Sequence, residues 1–322
     1  MVPRPGSGVE PSWAKVIGTT VRLWLARRPR RDRVLGLLVV MLVVFAAGGL
    51  TVALIRHSST GRAARGNGGG APVTAGLAPV QAAEAARQGA ARWIAAQVSH
   101  AAMVSCDPAM CVALEARGFP AGNLMTLGPG TSDPLGSAVV VATAAVRSLF
   151  GGRLTSVYAP TVIASFGSGS AQIDVRVYAA GGAAAYLASL RADQLSRQRI
   201  GHLLVRNSHV TAPAAAQRQL AAGQVDSRLL VTIGTLSHLG PVRIVAFGDS
   251  GPGAGAGVPL RAVEIANPPG AKSGYLQSVL ALLRAQEGPY LARSARLTFL
   301  VSGQEAVQVV FDAPSPLGLL SG

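Results

Sequence analysis

From Val34 to Ile55 the chain reads VLGLLVVMLVVFAAGGLTVALI, twenty-two residues without a charge. At 1.5 Å of rise per residue such a helix is about 33 Å long, which matches the roughly 30 Å hydrocarbon layer of a bilayer. Arg22, Arg27, Arg28, Arg30, Arg31 and Arg33 precede it with Asp32 in opposition, whereas the next twenty residues carry Arg56, Arg62 and Arg65. Positive residues beside a span stay on the cytoplasmic side. The expectation is a single-pass cell-membrane protein with residues 1–33 cytoplasmic, 34–55 spanning, and 56–322 extracytoplasmic. A cleaved signal peptide would carry an apolar run of about 7–15 residues ending in a small-residue cleavage site. This run is longer and ends at Ile55-Arg56-His57, so it reads as an anchor that stays.

The net charge of +15 invites a nucleic-acid reading, but its distribution argues otherwise. Residues 1–66 hold eleven Lys and Arg against two acids, a net of +9, so the remaining 256 residues carry +6. The excess is a topology signal and a set of contacts to anionic headgroups. Aromatics make up 5% of the chain, too few for stacking platforms beside a basic groove. Membrane lipid is the expected partner, and nucleic acid is not.

Residues 56–81, with GNGGG at 66–70, read as a flexible linker. The block 82–178 alternates helix and strand, which predicts an α/β domain. Glu84 to Val98 has a helical pattern, Met103 to Cys106 reads as a short strand, and Asp107-Pro108 starts a helix that Gly118 stops. Ser137 to Thr143 is an apolar β-branched run, hence a buried strand. Val162–Phe166 and Gln172–Tyr178 flank a Gly/Ser turn, hence a hairpin.

The block 182–322 predicts an α+β domain. Helices are expected at 183–199, 213–222, 226–238 and 275–286. Strands are expected at 202–206, 242–247 and 261–265, with a terminal hairpin from 296–301 and 306–311. A Gly/Pro-rich loop spans 248–257.

Cys106 and Cys111 are the two cysteines. With Asp107 as the cap they occupy the two positions that meet in a hydrophobic staple. Two readings fit: a structural disulfide, which an oxidising exterior permits, or two buried thiols. No third and fourth ligand accompanies them for zinc. Gly128-Pro129-Gly130 and Gly167-Ser168-Gly169 lack the strand–loop–helix context of phosphate cradles and read as turns.

The segments ARWIAAQVSHAAMVSCDPAMCVALEARGF, SAVVVAT and VIASFGSGSAQIDVRVY, within residues 87–178, resemble the extracytoplasmic C-terminal domain of actinobacterial membrane glycosyltransferases. The resemblance implies a fold and an extracytoplasmic address. The multi-span catalytic part of those enzymes has no counterpart here, so glycosyl transfer does not follow. Residues 220–266 are faintly similar to the zinc-dependent D-alanyl-D-alanine peptidase fold. Arg261, Ala262 and Ile265 match its Gly-Arg-Ala-x-Asp-Ile segment, with Glu264 at the Asp position. The loop carries no His and none follows His238, so three zinc ligands cannot be assembled.

Gly248-Asp249-Ser250-Gly251 resembles the nucleophile segment of trypsin-like proteases, and VRIVAFGDS that of GDSL hydrolases. Both need a histidine to deprotonate the serine. The remaining histidines and carboxylates are dispersed without paired spacing.

The reading is a membrane-anchored, extracytoplasmic, non-catalytic binding or scaffolding protein of the bacterial cell envelope. Cell-wall material or other envelope proteins are its expected partners. No catalytic residue, metal or cofactor is expected. The loop set Asp249, Ser250, Arg261 and Glu264 is the candidate for any residual site. Two alternatives stand beside it: a divergent envelope hydrolase using that loop, and an accessory subunit of a membrane glycosyltransferase.

Overall fold

A computed structural model describes residues 77–130, 133–248 and 251–320. The expected span at 34–55, the basic segment 1–33 and most of the linker lie outside the described residues. Among the described residues no helix is long and apolar enough to cross a membrane. Helix α1 covers Leu77–Gln97, so residues 77–81, expected as linker, are helical.

The first part of the chain builds a five-stranded mixed sheet. Ala86, Ala90, Ala91 and Ile94 form one buried stripe of α1, at the spacing that keeps a helical face on a core. Strand β1 (Val104–Cys106) runs into helix α2 (Pro108–Glu115). Asp107 caps that helix, accepting from the Met110 amide at 3.0 Å, and Pro108 fills the first turn, where no N–H is needed. Strands β2 (Leu124–Thr126) and β3 (Val139–Ala142) run parallel to β1 on either side. Helix α3 (Ala144–Phe150) and a π-turn at Leu154–Tyr158 follow, then the hairpin of β4 (Thr161–Phe166) and β5 (Ile173–Val177). The strand order is β2-β1-β3-β5-β4. All four residues of β3 are buried because both faces of the sheet are covered. Helices α1 and α2 pack one face, and Leu127, Phe150, Leu154 and Tyr158 cover the other.

Helix α4 (Ala183–Arg206) leads to the second sheet. The strand expected at 202–206 is the last part of this helix. A three-residue apolar run fits strand and helix alike, and Leu204 falls on the buried face already set by Asp193, Arg197 and Gly201. Helices α5 (Ala214–Ala221), α6 (Ser227–Leu239) and α7 (Tyr275–Arg284) match the expected segments. Strands β6 (Val210–Thr211), β7 (Val242–Gly248), β8 (Ala262–Ala266), β9 (Ser294–Phe299) and β10 (Glu305–Val310) assemble in the order β6-β7-β8-β10-β9. Leu220, Leu229, Ile233, Val279 and Leu283 from the helices pack on Ile244, Val263, Ile265, Val307 and Val309. The fold therefore combines α and β elements around two mixed sheets.

Both sheets belong to one compact unit, residues 71–322. The Gly/Pro-rich loop of 248–257 supplies one reason. Its described part lies along β4, where the Ser165 amide donates to the Pro252 carbonyl at 2.7 Å and the Gly255 amide to Val162 at 2.9 Å. The loop thus pairs the outer edge of the first sheet, which would otherwise expose unsatisfied backbone. Gly251 adopts φ +117°, and a Cβ there would stand 2.3 Å from the Ile163 carbonyl. Glycine is required for that approach.

Candidate functional site

Two of the four loop residues singled out in the sequence are described, and they point away from each other. Arg261 and Glu264 are three positions apart on an extended segment, so they face opposite sides. Arg261 is buried. It donates to the Phe311 carbonyl at 2.8 Å and to Gln97 Oε1 at 3.3 Å, and its guanidinium lies over the Trp93 ring at 5.8 Å. Glu264 stands on the other face of the second sheet, in register between Ala246 and Gln308. Asp249 and Ser250 lie outside the described residues. Cys106 and Cys111 form the disulfide, with their Cα atoms 5.4 Å apart.

Among the described residues no three His, Cys, Asp or Glu side chains converge as a metal site would require. Several carboxylates are committed elsewhere. Asp107 holds the α2 cap with one oxygen and accepts from the Thr143 hydroxyl with the other. Asp193 pairs with Arg197 at 2.8 Å and also accepts from Ser227 and the Gly318 amide. Asp226 pairs with Arg228 at 2.7 Å and accepts from Ser315. Burial would raise the Asp174 carboxyl, but hydrogen bonds from Gln172 and Ser165 and the Arg176 guanidinium outweigh it and hold the group below its ordinary value. These groups tie the C-terminal segment and the strand ends in place.

Three of the concavities among the described residues bear on a ligand site. One, of about 20 Å³, is walled by Tyr186, Arg261 and Ser315 at the meeting of the two sheets. It has room for about one water. Burial pushes the Tyr186 hydroxyl up to about 12, so it stays protonated. The second, about 380 Å³, opens at the carboxyl ends of β1, β2 and β3, between Asp107, Gly128-Pro129 and Leu149. Ligands of open α/β sheets gather at that edge. Here, however, the one carboxylate is already shared between the α2 amide and Thr143.

The third is the largest, about 510 Å³, and lies between the end of α6 and the start of α7. Leu236, Leu239, Val279 and Leu282 line it with Pro241, Pro268 and Pro269. Lys272 and Ser273 stand on the approach loop and are exposed. Tyr275 closes one end, its hydroxyl donating to the Pro241 carbonyl at 2.9 Å, and burial pushes that hydroxyl above its ordinary value. Leu239 is 71% exposed although it lines an apolar groove. The groove falls in the size range of small-ligand sites, with an apolar wall and a few polar groups at one end. It can hold an apolar group and place an anion beside Lys272. The prolines at 268 and 269 and Lys272, the one lysine after Lys15, were the signals available in the sequence. Nothing in the spacing joins them to Leu239, which reaches the groove through the packing of α6 on α7.

No protein-family model, curated protein or solved structure matches this chain.

Proposed function

We propose that this chain is a membrane-tethered binding module of the cell envelope. In this reading residues 34–55 anchor it and the groove between α6 and α7 holds its ligand. The observation that carries the reading is the groove itself: an apolar cavity of about 510 Å³ with exposed Leu239 on its wall and Lys272 at its lip. Leaving leucine surface exposed in a concave site costs hydrophobic stabilisation that a ligand restores. The ligand suited to it has an apolar body and one anionic group, carried by cell-wall material or by a segment of another envelope protein. The commitment of Asp107, Asp193 and Asp226 to caps and ion pairs supports a binding role over a catalytic one.

The test is co-sedimentation of the full chain, in mild detergent, with isolated cell-wall sacculi. Ser278→Trp fills the groove from an exposed rim position, and Lys272→Glu reverses the charge at its mouth. Both variants should keep the wild-type melting temperature and lose retention. Wild-type retention in both would end the groove assignment. No retention of the parent chain would end the wall reading and leave protein partners.

A further inference from the structure

Helix α4 carries twenty-four residues, about 36 Å of length, between the two sheets. Its inner face is fixed by Asp193, Ser196, Arg197, Gly201 and Leu204, all buried. Its outer face has a different character. Arg191, Leu195, Arg199, His202 and Arg206 are all exposed, and at 100° per residue they fall within about 80° of arc. Leu203 stands beside them. Leu195 is 60% exposed and Leu203 57%.

The charges on this face are uncompensated. The helix has a single acid, Asp193, and it points inward to Arg197. Arg191, Arg199 and Arg206 make no ion pair among the described residues. Arg199 bonds the Ser196 hydroxyl and Arg206 the His202 carbonyl, contacts within the helix that leave both guanidinium charges unneutralised. An ordinary solvated helix face mixes acids with bases at three- and four-residue spacing. This one interleaves arginine with leucine and carries no acid at all.

We infer that the outer face of α4 is a docking surface for an anionic bilayer, lying flat on the headgroups of the membrane to which the chain is tethered. Arginine and leucine on one exposed strip are what a helix in the interfacial plane requires. The guanidiniums meet lipid phosphates in bidentate fashion, while Leu195 and Leu203 enter the acyl boundary. Charge complementarity selects the partner, because a neutral surface would leave three arginines without counter-charges as the leucines bury. The inference rests on the tether of the proposed function, which keeps the unit within reach of the membrane.

The test uses the full chain with an added thiol at the exposed position Ala188, Ala188→Cys, carrying an environment-sensitive fluorophore. The native cysteines are paired and do not compete for the label. The protein is reconstituted with vesicles of phosphatidylglycerol in phosphatidylcholine, and with phosphatidylcholine alone. The label should shift to the blue and become quenchable from the lipid in the anionic vesicles alone, and high salt should reverse the shift. Replacing Arg191, Arg199 and Arg206 by Gln should weaken docking on the order of 100-fold, taking each arginine near an anionic surface as roughly a factor of five. An unchanged label in anionic vesicles, or equal shifts in both lipids, would overturn the inference. Alkaline extraction separates the two readings. A chain retained by the bilayer with a silent label keeps the tether and loses the docking face. A chain extracted with a responsive label keeps the docking face and loses the tether. Extraction with a silent label removes both.

Discussion

Gly201 shows how one missing side chain sets the distance between two helices. A Cβ at this position would stand 2.0 Å from the Leu220 carbonyl, so α5 sits against bare α4 backbone. Gly201→Ala must push α5 away or bend α4, and overpacking of this kind costs on the order of 3 kcal/mol. Ala188→Gly, on the exposed face of the same helix, should cost about 0.5–1 kcal/mol through backbone entropy alone. Denaturant melts of the two variants provide the comparison, and equal losses would contradict the close approach. Asp174 makes a second case at this scale. Its folded-state value lies below the ordinary 3.8, because Gln172, Ser165 and Arg176 stabilise the ionised form. A carboxyl with a depressed folded value stabilises the protein above its unfolded value, and the benefit disappears as pH falls through the folded one. The stability gap between the parent and Asp174→Asn should therefore be widest near neutral pH and close below about pH 4. Melting temperatures across that range check it, and a gap independent of pH would show that the Asp174 charge contributes nothing.

Among the elements, α2 is the most completely specified. Asp107 caps it, Pro108 opens it, and the Cys106–Cys111 bond joins the residue before the cap to the first full turn. The covalent loop closes over a separation of five residues, so the chain-entropy gain is at the small end, about 2 kcal/mol. Replacing both cysteines by Ser should cost that much or slightly more, since buried hydroxyls then enter an apolar cluster. A chemical melt of the double variant reads it, and a loss far above the estimate would mean that the bond holds more than its own helix. The same element explains why so much here was legible in the sequence. Its cap, proline, staple pair and stop lie within a dozen residues, and each acts locally. Helix α6 is equally local, with Asp226 as cap and Leu229, Leu230, Ile233 and Leu236 on the buried face. The end of α4 was not legible, because His202 to Arg206 is too short for its period to separate helix from strand. Strands β2 and β6 were missed for another reason. They hold three and two residues, and their pairing with β1 and β7 is their sole claim to be strands. The candidate site divides in the same way. Spacing brought the two cysteines together with disulfide and buried thiols both open, whereas the groove lies between α6 and α7, which no local pattern joins.

At the scale of the whole unit, the apolar clusters of the two sheets are joined by polar and backbone contacts more than by shared hydrophobic core. Sequence grammar changes near residue 180; the first sheet ends at Val177 and the second begins at Val210, within one compact unit. Cohesion comes from distant residues returning to the first sheet. The loop at 251–257 pairs with β4. Arg293 donates to the Ala95 carbonyl at 2.8 Å and to Val98 at 3.0 Å, and the Ala313 amide donates to the Gln97 carbonyl at 2.7 Å. Arg293 is also held by Asp312 at 2.9 Å, so one guanidinium clamps the end of α1 to the chain after β10. With these contacts intact, unfolding either cluster strips partners from the other, and the unit should melt in one calorimetric transition with equal van't Hoff and calorimetric enthalpies. Gly251→Ala forces a side chain into the Ile163 carbonyl, and Arg293→Ala removes the guanidinium donor from the Ala95 and Val98 carbonyls. Each alone should lower the melting temperature, by roughly 2–4 °C for every kcal/mol lost in a unit of this size. Together they weaken two of these links, and the two sheets with their cores should then melt separately. Two transitions in the parent chain would refute the coupling. A single transition in the double variant would assign cohesion to α4, whose buried face contacts both the π-turn and α6.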